Sequence, residues 1–178
     1  HQFIKLFSLD PKISETFLPL LEAILLGEFI KEKASKVALI ILWGFEVPKY
    51  NFTKIAAIES RGFVFASAVS FVLKKPFIML RKKNKLPADV HSVDFELEYG
   101  TATIEVHKDS INEEDKVLII DDLIATGGTA EAAAKLVEIS KGKVAAFVFV
   151  INLFDLGGSD NLVKNNYKVE NLIEFPGH

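Results

Sequence analysis

Cysteine is missing from this chain, which excludes disulfides and thiolate metal sites and leaves an intracellular setting as the simpler expectation. Positive charge is also short: 21 Lys and Arg stand against 24 Asp and Glu, a formal net charge of −3 with a pI near 5.8. Such a balance argues against a general nucleic-acid binder, which needs a broad basic surface to neutralise backbone phosphates. Any anionic ligand must therefore meet locally clustered cations. Long hydrophobic runs are lacking as well, since the most apolar stretch, Val37–Phe45, is well short of the roughly 20 residues a membrane-spanning helix needs. No signal-peptide pattern, internal repeat, low-complexity tract or linker interrupts the sequence. The chain starts at His1 rather than at methionine, as a truncated or processed protein would.

What is present is a chain of 178 residues, 49% of them hydrophobic, which suits one globular domain with a substantial core, and residues 1–178 are read as a single domain. Apolar spacing over Ile13–Lys33 predicts an amphipathic helix. Short apolar runs at Val37–Trp43, Lys54–Ile58, Pro76–Leu80, Val117–Ile120 and Val144–Ile151 predict strands, with helices at Gly62–Lys74 and Thr129–Ser140. Alternation of this kind, with near-continuous hydrophobic strands, specifies an α/β fold: a mainly parallel twisted sheet flanked by helices. Residues 82–108 break the pattern with polar, period-two stretches on either side of Gly100, and predict a flexible antiparallel flap. Within it, Glu105 follows the apolar/polar alternation and is expected on the surface.

The segment Val117–Glu138 (VLIIDDLIATGGTAEAAAKLVE) places Asp121 and Asp122 after an aliphatic run and follows them with Ala125-Thr126-Gly127-Gly128-Thr129. Ligands of open α/β sheets bind beyond the carboxyl ends of strands, and carboxylates there can accept hydrogen bonds from sugar hydroxyls or hold a hydrated Mg²⁺. Two glycines let backbone amides converge at the start of a helix whose dipole favours an anion, a phosphate cradle. The pattern fits a ribose 5-phosphate site; the competing reading is a helix cap after a strand. Neither a Walker A loop nor GxGxxG occurs.

The apolar run, the two acids and Ala-Thr-Gly-Gly-Thr resemble the 5-phosphoribosyl-1-pyrophosphate loop of the type I phosphoribosyltransferases. Further stretches, Glu59–Phe65, Arg81–Pro87, Leu97–Gly100, Ile151–Gly158 and Phe175–His178, are similar to the adenine-using members of that family, and the resemblance runs from about Ala56 to the end. It implies the type I phosphoribosyltransferase fold, with a small hood beside the antiparallel flap. Adenine and phosphoribosyl pyrophosphate become the expected substrates, AMP and pyrophosphate the products, with Mg²⁺ held mainly by the substrate pyrophosphate. A cytoplasmic homodimer in purine salvage is implied too.

Residue by residue, the resemblance assigns the ribose hydroxyls to Asp121 and Asp122, and the 5-phosphate to Ala125, Thr126, Gly127, Gly128 and Thr129. Glu59-Ser60-Arg61-Gly62 stands at the position of its pyrophosphate loop, with Ser60 and Arg61 as binding residues and Gly62 permitting close approach of the anion. Arg81, Lys82 and Lys85 belong to the densest basic run in the chain and match groups that meet the leaving pyrophosphate, Arg81 as a catalytic stabiliser of charge. Glu98 matches the family residue for proton transfer or positioning near the base, and Tyr99 a residue of flap closure. Leu123 and Leu153 could pack on a planar base or simply fill the core. No protein metal site is expected. Phe3–Pro11 lacks the glycine and arginine of the family's hood stretch, and 43–52 reads as an insertion without an assignable role. A phosphoribosyltransferase for another base, and a regulator that senses phosphoribosyl pyrophosphate on the same fold, are the alternatives.

Overall fold

The computed structural model describes residues 49–97 and 100–177, all within the unit Ile40–His178. The helix expected over Ile13–Lys33, the strand Val37–Trp43, the hood, Glu98 and Tyr99 lie outside the described residues. Seven strands form one sheet in the order β3-β4-β2-β1-β5-β6-β7. They are β1 Lys54–Ile58, β2 Phe77–Lys82, β3 Val90–Leu97, β4 Gly100–His107, β5 Lys116–Ile124, β6 Lys143–Leu153 and β7 Val169–Phe175. The helices are α1 Gly62–Leu73, α2 Gly128–Ile139 and α3 Gly158–Lys164.

Strands β2, β1, β5, β6 and β7 run parallel, and their centre is buried on both faces, as long aliphatic runs require. Side chains of a strand alternate between faces. Ala56 and Ile58 of β1, Ile119 of β5 and Phe147 and Phe149 of β6 accordingly join the alanines and Leu136 of α2 in one core cluster. Their neighbours Ile55, Ala57, Leu118, Ile120 and Val148 are buried as well. The run Ala130–Ala134, with Glu131 its one polar residue, lets α2 lie close to the sheet.

The expected flap is an antiparallel hairpin of β3 and β4, but its lower half is part of the core. Strand β4 pairs with β2 at Arg81↔Glu105 and Lys82↔Ile104, and Val93, Ile104 and Val106 are buried. Glu105 is a correction: it is 5% exposed, because the chain at Asn84 folds over β4 and its amide donates to the Glu105 carboxylate at 3.0 Å. Another difference is β7, for which no strand was expected. It carries one buried residue, Ile173, among Glu170, Asn171 and Glu174, so no apolar run announces it, and it pairs only with β6 in the sheet order. Part of the 43–52 segment now has a structural place: Phe52 is buried, Lys49 Nζ lies 2.7 Å from Glu170, and the Tyr50 hydroxyl donates to the same β7 carboxylate.

Gly62, at the start of α1, sits where a Cβ would lie 2.8 Å from Asp121 Oδ1 and 2.9 Å from the Ile120 carbonyl. The structure gives this glycine a packing reason beside the expected approach of an anion: it lets α1 lie close to β5. Gly62→Ala is expected to lower stability in urea denaturation by about 1–3 kcal/mol, the usual range for overpacking. Ser67→Ala, on the exposed side of the same helix, should stay within about 0.5 kcal/mol; equal effects would contradict the packing account.

Candidate active site

Strand β5 continues through both aspartates to Ile124, pairing Asp121 with Phe149 and Leu123 with Ile151 of β6. The acids therefore lie inside the final stretch of a central strand rather than after it, and their surroundings are more enclosed than a loop would give. Asp121 Oδ1 accepts the Asp122 amide at 2.8 Å, and Asp122 Oδ2 lies 2.7 Å from Arg61 Nε. Burial, and then the charge of Asp122, push the Asp121 carboxyl up to about 8, so near neutrality the adjacent pair carries less than its two formal charges.

Past Ile124 the chain turns through Ala125–Gly127 into α2. Gly127 has φ +93°, a conformation that L side chains rarely adopt, and a Cβ on it would lie 3.1 Å from the Gly158 Cα. Contact from the other side is closer still: the Gly158 amide donates to the Ala125 carbonyl at 3.0 Å, and a Cβ at Gly158 would reach within 2.3 Å of that oxygen. Two glycines thus pack the start of α3 against the turn. This gives the Leu156-Gly157-Gly158 stretch a function in shape, buttressing the cradle. Orphan amides at the start of α2, with its positive dipole end, face the same space, and form an anion site of the kind a sugar phosphate fits.

A cavity of about 830 Å³ joins these parts. Its walls include Ser60, Arg61, Lys82, Asp121, Asp122, Leu123, Ala125, Thr126, Gly127, Gly128 and Thr129, and Phe95, Ala102 and Thr103 of the hairpin close another side. Leu153, expected beside the base, is not on this wall, and its place at the end of β6 next to the Phe154–Leu156 turn accounts for that. Arg81 and Lys85 are not wall residues either; Glu59 connects them to it.

Glu59, read from the sequence only as the first residue of the pyrophosphate loop, is the hub of this side of the site. It lines the cavity, accepts Arg81 Nε at 3.2 Å and the Lys82 amide at 2.8 Å, and has Lys85 Nζ 3.7 Å away. Burial alone would raise its carboxyl, but the hydrogen bonds from Arg81 and Lys82 and the nearby charges of Arg81 and Lys85 hold it below the ordinary range. By taking Arg81 Nε, Glu59 fixes the direction of the guanidinium. Its signal was present in Glu59-Ser60-Arg61, yet its partners come from β2, which only the parallel β1–β2 register brings near.

An acid pair, a glycine turn at a helix start and the cations Arg61 and Lys82 line one crevice, an arrangement of the kind that suits a phosphorylated sugar. Residues 30–176 match the phosphoribosyl transferase domain, and the chain belongs to that family. Among its relatives is the adenine phosphoribosyltransferase of Pelagibacter ubique, 84% identical over 129 residues, which are 72% of this chain and 74% of that protein. The adenine phosphoribosyltransferase of Haemophilus ducreyi is 47% identical over 133 residues, 75% of this chain and 74% of its own. In solved structures, the adenine phosphoribosyltransferase of Thermoanaerobacter pseudethanolicus superposes with a TM-score of 0.74 at 39% identity, over 82% of this chain and 84% of that one. The Giardia lamblia enzyme complexed with 9-deazaadenine gives 0.74 at 32% identity, over 82% and 83%.

The raised Asp121 carboxyl has a thermodynamic sign. The folded chain keeps this proton to about pH 8, whereas an unfolded aspartate releases it near 3.8, so stability falls as pH rises between the two. In metal-free buffer, Asp121→Asn is expected to flatten the decline in urea midpoint from about pH 5 to about pH 8. Parallel profiles for wild type and variant would contradict the assignment.

Proposed function

We propose that this chain transfers the 5-phosphoribosyl group from phosphoribosyl pyrophosphate to adenine, yielding AMP and pyrophosphate. The observation that carries the reading is the convergence, in one cavity, of the β5 acid pair with the Ala125–Thr129 turn at the start of α2. Family membership and relatives named adenine phosphoribosyltransferases support it.

In this scheme the bond from the anomeric carbon to pyrophosphate breaks while a bond to a purine ring nitrogen forms, and that nitrogen gives up its proton. Amides and hydroxyls of Thr126–Thr129 hold the 5-phosphate, and Asp121 and Asp122 accept from the ribose hydroxyls. Arg61 reaches Asp122 in the present arrangement and is 73% exposed at its side chain, so it can exchange that carboxylate for a phosphate oxygen. Arg81, oriented by Glu59, and Lys82 and Lys85 take up the negative charge that grows on the departing pyrophosphate. Glu98 is assigned to the purine proton and Tyr99 to flap closure on the strength of the motif; closure keeps water from the activated sugar. Leu123 offers an apolar wall to the base.

Mg²⁺ enters with the substrate pyrophosphate and screens its charge. Among the described residues no group of three or more His, Cys, Asp or Glu could hold a metal; both Asp121 and Asp122 line the cavity, where their carboxylates could accept from the water shell of a substrate-borne ion. We take the active form to be a cytoplasmic homodimer in purine salvage, as the resemblance implies. Among the described residues no helix is long and apolar enough to cross a membrane.

The test is release of pyrophosphate from phosphoribosyl pyrophosphate and Mg²⁺ with adenine, hypoxanthine, guanine, xanthine, uracil or orotate offered singly. Turnover with adenine alone is expected, and turnover with another base in its place would overturn the specificity. Gly128→Val, which adds a branched side chain where a Cβ already lies 3.2 Å from the Glu96 carbonyl, should raise the KM for phosphoribosyl pyrophosphate. The expected rise is about tenfold or more, with Asp122→Asn acting in the same direction through lost ribose contacts. Glu98→Gln should instead lower kcat more than it changes KM.

A further inference from the structure

The basic turn after β2 is held by its backbone. Three consecutive amides there each donate to an acceptor outside the turn: Lys82 to the Glu59 carboxylate at 2.8 Å, Lys83 to the Thr103 carbonyl at 3.2 Å, and Asn84 to Glu105 Oε2 at 3.0 Å. Asn84 has φ +63°, an uncommon conformation outside glycine. The Glu105 side chain that accepts it is 5% exposed, a polar acceptor withdrawn from water and joined to the amide of the turn. Taking a carboxylate out of water is costly unless it is hydrogen-bonded, and a backbone amide is a strong partner for it. Glu105 faces Arg81 across the β2–β4 pair, placing it directly under the strand end from which the basic turn springs.

We propose that Glu105 is a positioning residue for pyrophosphate recognition, acting through the Asn84 amide to set the turn that carries Lys82, Lys83 and Lys85. The proposal rests on the reading of this cavity as a phosphoribosyl-transfer site, and adds a residue that does not touch the ligand. Cations on flexible stems bind a polyanion more tightly when their backbone is fixed beforehand, because less ordering accompanies binding. Glu105 fixes the turn from the flap strand, as Glu59 does from β1. It lies seven residues after Glu98 in the sequence, on strand β4.

Calorimetric binding of inorganic pyrophosphate and, separately, of ribose 5-phosphate, each with Mg²⁺, tests this without relying on turnover. Glu105→Leu is expected to weaken pyrophosphate about tenfold while ribose 5-phosphate stays within about twofold; Glu105→Gln, whose amide oxygen can still accept from Asn84, should retain pyrophosphate affinity within about twofold. Asn84→Pro removes the same hydrogen bond and, since proline cannot hold a φ of +63°, displaces the turn as a whole; it should weaken pyrophosphate about tenfold or more with ribose 5-phosphate within about twofold, even if Glu105→Leu folds poorly. Equal loss of both ligands in Asn84→Pro, or unchanged pyrophosphate affinity, would overturn the positioning role. Wild-type protein that binds neither ligand would instead overturn the site reading beneath it, and with it the proposal.

Discussion

Two carboxylates side by side at the end of a central strand are the constraint around which this molecule is arranged. Asp121 and Asp122 are carried into a crevice by β5, whose preceding residues Val117–Ile120 are wholly apolar and buried between the layers. Electrostatic repulsion between neighbouring acids in a poorly hydrated place has to be relieved. Here it is relieved by retention of a proton on Asp121, by the Asp122 amide, and by the Arg61 guanidinium at the start of α1. Gly62 is part of the same solution, since a side chain there would collide with Asp121. A pair of carboxyl groups lining a crevice suits a site that receives hydroxyl donors.

Beyond the acids, the site is shaped by close approaches of backbone to backbone. Gly127 and Gly158 bring the turn before α2 and the start of α3 into contact, fixing where the amides of the cradle point. On the far side, Glu59 and the β2–β4 pairing fix the cations. In the proposed reaction sugar phosphate and pyrophosphate would meet different parts of the fold, one built on the β5–α2 turn and the other on the ends of β1 and β2. A reaction that separates these two halves of its substrate requires such a division.

Local chemistry made much of this readable from the sequence. Strands β1, β2, β5 and β6 and helices α1 and α2 follow from aliphatic runs and helical spacing, because each turns buried apolar residues to the core. The cradle was legible since its acids, hydroxyls and glycines are contiguous. Glu105 was not: between Ile104 and Val106 it fits an outward position, and its burial comes from a turn some twenty residues earlier folding over it. The hub at Glu59 was missed for the same reason, as its partners lie on another strand. β7 was missed because an edge strand with one buried side chain carries little apolar signal.

The central claim is that the Ala125–Thr129 turn seats a sugar phosphate whose ribose faces Asp121 and Asp122. A crystal structure with ribose 5-phosphate and pyrophosphate bound tests it most directly. The account predicts the 5-phosphate within hydrogen-bonding distance of the amides of Thr126–Thr129, the ribose hydroxyls on the two aspartates, and pyrophosphate beside Arg81 and Lys82. A sugar phosphate bound instead on the basic turn, with the Gly127–Gly128 cradle empty, would contradict it.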